Sequence, residues 1–513
     1  MNRQRTHDLI NPTAAESQPV LSPGRNCSAI SIAHRAAVLI DGASYFAALD
    51  ATLRSAERSI TIIGWDFDAS IRLRPQDGPN ASVLGDLLRD LVEKREDLHV
   101  RVLIWSLATV HTPSAAMPLL VGSGWADHER IHLHLDTHHP LYASHHQKIV
   151  IVDDAVVFVG GMDLTVARWD KPEHSSDEPL RKDTDGTPYE PVHDVQMVLD
   201  GPVVSDLCTI AHSRWYDATG DALSVQATKD RWPRAVKPDF ENISVAVSQT
   251  KPKLGAQRGI EEAAQLTDDL LEAARETIYI EAQYFTGRRM GRMLKRLLAQ
   301  PEGPEIVVIC TLIANGILER FIMGANRERL LRRLKAVDRH NRLHVYCPVT
   351  DNDEKHRLLI HSKVMIIDDR FLRIGSANLN NRSVGLDTEC DVTVIAQTQQ
   401  ARDTIHRMRD TLLGEHLGVA REELQQSAAR KRNLRKIIDG LLCDGKSLRP
   451  VNVGPGKTRS FPGTFLLDPE RPLPFLNALH RLWSRVTCRD PVREKNNSET
   501  PKTTNPAQRG MRK

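Results

Sequence analysis

Apolar and polar positions alternate along this chain in two rhythms, and the rhythms take turns. Residues 45–56 have helical spacing, with Phe46, Leu49 and Leu53 on one face. A run of strand type over 59–63 follows, ending in Gly64-Trp65-Asp66-Phe67-Asp68. A helix over 83–94, a strand over 100–105 and a strand of period two over 131–135 continue the alternation. The same order then returns. A helix over 266–274 precedes a strand over 277–280 that ends in Glu281-Ala282-Gln283-Tyr284-Phe285, and strands over 306–309 and 343–346 come next. Ala56-Glu57-Arg58-Ser59-Ile60 matches Ala274-Arg275-Glu276-Thr277-Ile278 at an offset of 218, from 274 − 56. Strands alternating with helices predict an α/β fold built twice, each copy a mixed sheet flanked by helices.

The pattern divides the chain into four parts. Residues 1–35 are polar and lack periodicity, which predicts disorder up to an ordered start near Ala36. Residues 36–235 form a first lobe and 236–428 a second. Residues 429–513 form a basic extension, partly disordered. It holds a basic helical run from Arg430 to Lys436, a Pro/Gly-rich stretch over 450–462, a short amphipathic segment over 475–483 and a polar tail. Residues 171–190 are rich in Asp, Glu, Pro and Gly and have no counterpart in the second lobe, so they read as a surface insertion, a lid or substrate loop.

Composition narrows the class. At 513 residues, 40% hydrophobic and 26% charged, the chain has the make-up of a multi-domain globular protein. Its 69 basic and 66 acidic residues nearly cancel. No global field favours nucleic acid, and attraction to an anionic bilayer must come from local patches. The seven cysteines are scattered and form no C-x-x-C, which argues against a disulfide scaffold or a structural zinc site. No apolar run approaches the roughly 18–20 residues that span a bilayer. Residues 1–26 lack the apolar segment of a secretory signal. The expected location is the cytoplasm or the periphery of a membrane, with export by a signal-independent route left open.

Two stretches carry chemistry. His146-Gln147-Lys148 leads through an apolar run to Asp153, and His361-Ser362-Lys363 leads through another to Asp368. Small-residue turns follow, Gly160-Gly161-Met162-Asp163 and Gly375-Ser376-Ala377-Asn378. The differences 361 − 146, 363 − 148, 368 − 153 and 375 − 160 all equal 215, the mark of an internal duplication. On a strand, residues two apart point to one face, so each Lys can bind an anion that its His attacks. Two such units around one point suit a phosphodiester: one imidazole attacks phosphorus, the other protonates the leaving oxygen, and the lysines stabilise the equatorial oxygens. A phosphohistidine then passes to water or another alcohol. No metal or other cofactor is needed for this chemistry.

These residues resemble the phospholipase D superfamily, whose signature is a pair of H-x-K-x4-D motifs followed by G-[GS]-x-[ND]. Gly64-Trp65-Asp66-Phe67-Asp68, Leu141 to Lys148, Arg168-Trp169-Asp170, His193-Asp194-Val195, Gly201-Pro202, Arg214-Trp215, Tyr279 to Phe285 and Glu415-His416-Leu417-Gly418 are similar to the eukaryotic-type phosphatidylcholine phospholipases D. The resemblance covers about residues 37–420 and implies a monomer whose two lobes meet at the active site. It also implies that His146 is the nucleophile and His361 the acid/base. By the same resemblance Asp194 and Glu389 are the carboxylates that orient the imidazoles, each on a strand after its motif. The implied catalytic set is His146, Lys148, Asp153, Asp194, His361, Lys363, Asp368 and Glu389, with Asp153 and Asp368 expected to act structurally. Asp163, Ser376 and Asn378 are the implied substrate-binding residues. Ala282 departs from the family, which often has Asn there, and no lipid-targeting module is expected before the first lobe.

Blander readings apply elsewhere. His132, His134, His138, His139, His145 and His146 form a His-rich stretch, but strand alternation argues against a zinc site. Trp65 reads as core or pocket wall rather than a headgroup cage. Arg320, Arg327, Arg329, Arg332, Arg333 and Lys335, with Leu330, Leu331 and Leu334, form either a solvated helix face or a dock for anionic lipid. The expected function is hydrolysis of the distal phosphodiester of a glycerophospholipid, phosphatidylcholine, at a phospholipid membrane surface. Phosphatidyl transfer of the cardiolipin-synthase kind is the nearest alternative. A nuclease comes third, because the chain has no basic stripe and no nucleic-acid partner is expected.

Overall fold

The computed structural model describes residues 19–105, 124–225, 229–311, 317–350, 358–430, 433–459, 464 and 468–472. Both lobes are present, and their sheets are fused into one of 16 strands. From its outer edge inward, the first half runs Ile131–Asp136, His99–Trp105, Ser59–Gly64, Ile149–Val152, Val156–Gly160, Val195–Asp200 and Ala29–Ile40. The second half mirrors it: Leu343–Val349, Glu305–Cys310, Thr277–Ala282, Lys363–Ile367, Phe371–Gly375, Glu389–Ile395 and Phe240–Lys251. In each half the outer three strands are parallel and the rest antiparallel. The seam pairs the two equivalent inner strands antiparallel, with Ala29 opposite Val247 and Ala36 opposite Phe240. Pairing equivalent strands this way relates the two halves by a local twofold.

Parallel neighbours need crossover connections, and helices supply them. Leu84–Lys94 links the parallel strands Ser59–Gly64 and His99–Trp105, burying Leu84, Leu87, Leu88, Leu91 and Val92 at helical spacing. Arg288–Ala299 does the same in the second half, burying Met290, Leu294, Leu297 and Leu298. On the other sheet face, Val203–Thr219 and Gln399–Leu417 share one apolar cluster with strands from both halves, including Met197 and Leu199 of the first and Val392 and Val394 of the second. That common core welds the lobes together. Among the described residues, no helix is long and apolar enough to cross a membrane.

Three sequence expectations change. Order begins before Ala36, because Ala29–Ile40 is a 12-residue strand whose two edges pair with Phe240–Lys251 and Val195–Asp200. Ile30 and Ile32 face outward on it, which hid the strand from an apolar-pattern reading. Residues 1–18 lie outside the described residues, as do the amphipathic segment over 475–483 and the polar tail. The extension from 429 is also part of the second half. Ser447–Pro450 adds an edge strand beside Leu343–Val349, and buried Asp468 binds the Asn381 side chain at 2.7 Å. Finally, residues 171–190 are more than a surface loop: His174 and Arg181 are buried, and Arg181 pairs with Asp170 at 3.2 Å. This segment accounts for the unequal spacing downstream, since Gly160 to Asp194 is 34 residues while Gly375 to Glu389 is 14.

The basic helix is likewise used internally. Ile317–Lys335 buries Leu330, Leu331 and Leu334. Arg327 donates to the Thr311 carbonyl, and Arg332 donates to the Gly454 and Lys457 carbonyls at 2.8 and 3.1 Å. Those two guanidiniums are tied to backbone carbonyls.

Candidate active site

Each motif enters its strand by pairing with the opposite half. Val192–His193 runs parallel to Leu359–Ile360, and the His361 N–H donates to the His193 carbonyl at 2.8 Å. The equivalent crossing joins His145 to Thr388, and the His146 N–H donates to the Thr388 carbonyl at 3.1 Å. Each His therefore begins its strand next to the residue that precedes the other half's carboxylate. The outcome is a swap. His146 Nδ1 lies 3.0 Å from Glu389 Oε2, and His361 Nδ1 lies 2.6 Å from Asp194 Oδ2. With Nδ1 engaged, Nε2 of each ring is the nitrogen left to react.

The lysines sit on the same faces as their histidines, as period two requires. Lys148 Nζ pairs with Asp163 Oδ2 at 3.1 Å and donates to the His146 carbonyl at 2.9 Å. Lys363 Nζ donates to Gln283 Oε1 at 3.1 Å and to the His361 carbonyl, and stands 3.3 Å from His361 Nδ1. Both ammonium groups are buried. The two imidazoles remain the accessible members, with side chains 15% and 7% exposed against 0% and 1% for Glu389 and Asp194.

Burial and like charge set the protonation states. Burial, then the Lys148 and Lys363 charges, hold the His146 imidazole well below the usual histidine range. Burial and the Lys363 charge do the same to His361. The Lys363 effect on His146 crosses between the halves, so both motifs face one centre. Burial brings Lys363 itself down to about 7. The carboxylates part company. Burial pushes Glu389 up to about 8, opposed by hydrogen bonds from Ser376 and Ser383. Burial also acts to raise Asp194, but the His361 and Lys363 charges outweigh it and hold the carboxyl below its ordinary value.

The other expected site residues support these groups from behind. Asp153 accepts backbone N–H groups from Glu57, Arg58 and Ser59 at 2.7–2.8 Å, and pairs with Arg231 at 2.6 Å. Asp368 accepts those of Arg275, Glu276 and Thr277, each at 2.8 Å. Both lie at the far ends of the strands Ile149–Val152 and Lys363–Ile367, so they anchor the neighbouring strand start and do not join the catalytic set. Asp163 is engaged by Lys148 and by the Trp65 N–H at 2.8 Å, so it holds the lysine in place. Ser376 Oγ donates to Glu389 Oε2 at 2.6 Å, which makes it a carboxylate support. Asn378 is buried; its N–H donates to Ser383 Oγ at 3.1 Å, and its Oδ1 has no hydrogen-bond partner among the described residues.

Three residues missing from the sequence-derived set belong here. Gln283 receives Lys363, and Ser383 donates to Glu389 Oε1 at 2.6 Å. The Arg168 charge reaches both His361 and Lys363, and it follows Ala167, whose φ of 55° turns the chain there. Arg168 and Gln283 lie in stretches that carry the resemblance; nothing local marks Ser383. The His-rich stretch disperses into separate contacts, such as His145 with Asp136 at 3.2 Å and His134 edge-on to Trp215. Trp65 stacks on Trp105 with centroids 5.7 Å apart, as a wall residue would. Among the described residues, the groups able to hold a cation exclude both motif histidines; two of them share His193, one with Asp41, His174 and Glu415 and one with Glu281 and His416.

The chain is similar to known proteins. Residues 52–293 match the family model described as Phospholipase D, and residues 268–409 match the one described as Cardiolipin synthase, PLD-like domain. Phospholipase D alpha 1 of Ricinus communis is 26% identical, the alignment covering 72% of this chain and 63% of that protein. Phospholipase D alpha 1 of Arabidopsis thaliana is 24% identical with the same coverage, 72% and 63%. The chain thus spans about 63% of the length of these curated relatives. The crystal structure of phosphatidylserine synthase from Haemophilus influenzae Rd KW20 superposes with a TM-score of 0.53 at 13% identity, covering 80% of this chain and 95% of that one. That likeness is one of fold.

Proposed function

The chain belongs to the phospholipase D superfamily, and from that premise we propose that it hydrolyses the distal phosphodiester of glycerophospholipids, phosphatidylcholine among them, to phosphatidic acid and free headgroup. The observation that carries this reading is the swapped pair of buried carboxylate–imidazole contacts flanked by two lysines. A phosphodiester monoanion would meet the positive charge of Lys363 and Arg168, with Lys148 held alongside by Asp163.

His146 Nε2 attacks phosphorus, forming the P–N bond as the P–O bond to the headgroup breaks. The departing oxygen takes a proton from His361. Water then attacks the phosphohistidine, gives its proton to His361, and breaks the P–N bond. The assignment of His146 to attack comes from the family resemblance. Glu389 supports it: pushed up to about 8 by burial, this carboxyl does little to hold a proton on His146 at neutral pH, and a nucleophile must stay unprotonated. The 2.6 Å contact from Asp194 supports a proton-carrying role for His361.

A second reading, transfer of the phosphatidyl group to an alcohol, is supported by the match of 268–409 to the cardiolipin synthase model. It uses the same intermediate. Both halves of the site come from one chain, which supports a monomer working at a phospholipid surface. The test is to incubate purified protein with phosphatidylcholine, phosphatidylglycerol and single-stranded DNA, with and without ethanol. Phosphatidic acid, replaced by phosphatidylethanol when ethanol is present, is the expected product. Cleavage of DNA alone sinks the proposal.

A further inference from the structure

Behind the Asp194–His361 pair, side chains from both halves converge on one buried point. Asp41, His174 and His193 come from the first half and Glu415 from the helix Gln399–Leu417 of the second, and their ligand atoms all lie within 4.8 Å of one another. His193 Nδ1 is 2.7 Å from Glu415 Oε1 and 3.0 Å from Asp41 Oδ1. His174 Nε2 is 3.1 Å from Glu415 Oε1, where it has hydrogen-bond alignment, and 3.5 Å from Asp41 Oδ2. The side chains of Asp41, His174 and His193 are 0% exposed and that of Glu415 is 6%.

The opposite edges of both imidazoles are already committed. His174 Nδ1 meets Asp170 Oδ2 at 3.0 Å, and His193 Nε2 meets Glu281 Oε2 at 3.0 Å. A neutral imidazole that gives its N–H to a carboxylate turns a lone pair outward from its other nitrogen. Here His174 Nε2 is aligned with Glu415 Oε1, whereas His193 Nδ1 faces the Asp41 and Glu415 oxygens without such alignment. Among the described residues, neither Asp41 oxygen nor His193 Nδ1 has a hydrogen-bond partner of acceptable geometry, despite the short separations. Close contacts that are not aligned for hydrogen bonding are what ligands around a shared ion present. A tetrahedral ion with bonds of about 2.0–2.2 Å holds its ligand atoms roughly 3.3–3.6 Å apart, so the 3.5 Å pair already fits and the 2.7–3.1 Å pairs would open by less than about 1 Å around it. The carboxylate–imidazole pairs behind each nitrogen match the usual backing of metal-bound histidines. Asp41 adds backbone evidence: its φ of 62° lies in the left-handed region, rare for a residue other than glycine, where its short side chain turns inward. Four carboxylates, Asp41, Asp170, Glu281 and Glu415, share this region with the imidazoles of His174, His193 and His416 and the Arg181 guanidinium.

We propose that Asp41, His174, His193 and Glu415 bind one divalent transition-metal ion of the zinc class in a closed, structural site clasping the two halves. Two imidazoles with two carboxylates and no open position suit such an ion better than calcium or magnesium, which prefer all-oxygen shells. The ion lies apart from the reacting groups and takes no part in the phosphoryl steps. It bears on them through backbone: the His193 carbonyl receives the His361 N–H at 2.8 Å, and the Asp194 carbonyl receives the Asp41 N–H at 2.8 Å.

The test uses the full chain purified without chelator. Elemental analysis after exhaustive dialysis is expected to find about one zinc-class ion per chain. A strong chelator should lower the unfolding temperature, and added Zn2+ should restore it. Replacement by Co2+ should give the visible bands of a tetrahedral site, and His174→Ala and Glu415→Gln should each remove most of the bound metal. A wild-type protein that carries no such ion, takes up none from added Zn2+ or Co2+, and unfolds at the same temperature with or without chelator overturns the proposal; protons on the imidazoles then close the cage. Metal retained at full stoichiometry in both variants overturns it as well. These readouts do not depend on lipid hydrolysis, so the fate of the phospholipase reading leaves them untouched.

Discussion

The His146 and His361 halves of the site share one pairing geometry and differ in what stands behind it. His146 is backed by Glu389, whose two oxygens take hydroxyl hydrogens from Ser376 and Ser383. His361 is backed by Asp194, beyond which lies the cage of imidazoles and carboxylates. The small-residue turns contribute to the difference. Ser376 reaches Glu389, whereas a Cβ at its counterpart Gly161 would lie 2.2 Å from Asp194 Oδ1. The first turn has no room for a side chain, so Asp194 meets no hydroxyl from that position. Duplication supplied two similar units, and their surroundings made one carboxylate hard to ionise and kept the other charged. In the proposed mechanism, this difference between the carboxylates is what would assign attack to one half and proton transfer to the other.

The largest effects should come from the imidazoles, and they can separate the two roles. His146→Ala and His361→Ala are each expected to cut turnover of phosphatidylcholine by at least ~10^3-fold. With a substrate whose leaving group needs no proton, such as a nitrophenyl phosphodiester, His361→Ala should still accumulate a covalent adduct visible by intact mass. His146→Ala should not. An adduct in His146→Ala reverses the assignment.

Next come the carboxylates. Asp194→Asn is expected to lower kcat by roughly 10^2-fold or more, because it removes a charge-assisted contact to the proton carrier, and Glu389→Gln by less. Equal losses, or a larger one for Glu389→Gln, break the asymmetry. Then comes pH. Lys363 sits at about 7, so kcat/KM should fall as pH rises above 7 and the free protein loses that ammonium. In Lys363→Arg the charge persists, and the fall should move to higher pH even if the plateau drops. An unshifted profile would mean another group titrates.

The smallest effects concern the backing residues. Gly161→Ser must displace the Asp194 carboxylate, and about a tenfold loss of kcat in a folded protein is expected, with Ser376→Gly milder. For stability, Glu389 has a folded-state value near 8, raised above its ordinary 4.5. The stability linked to its bound proton is present at pH 4 and is lost as pH rises through 8. Replacing Glu389 by Gln removes that loss, so the variant's unfolding temperature relative to wild type should improve from pH 5 to pH 8. A difference independent of pH would place the carboxyl in the normal range.

Much of the fold could be read from local pattern. The alternating strand Ser59–Gly64, the helix Leu84–Lys94 and their counterparts lie within a few residues of where periodicity put them. Ala29–Ile40 escaped because its place is secured by hydrogen bonds on both edges, while Ile30 and Ile32 face solvent. Residues 171–190 looked like a surface loop on composition, since nothing local shows that His174 and Arg181 find buried carboxylates.

Sequence alone determined the candidate reacting groups. A strand's period of two, set by the backbone of adjacent residues, puts His146 with Lys148 and His361 with Lys363 on common faces, and the constant offset of 215 announces two halves. The fused seam was left to tertiary structure, and so was the choice of carboxylate for each imidazole. His146 reaches Glu389 across 243 positions and His361 reaches Asp194 across 167, because each motif crosses to pair with the opposite half before its strand begins. The same crossing closes the cage of Asp41, His174, His193 and Glu415. Contacts between segments that distant depend on how whole sheets join, which local periodicity does not encode.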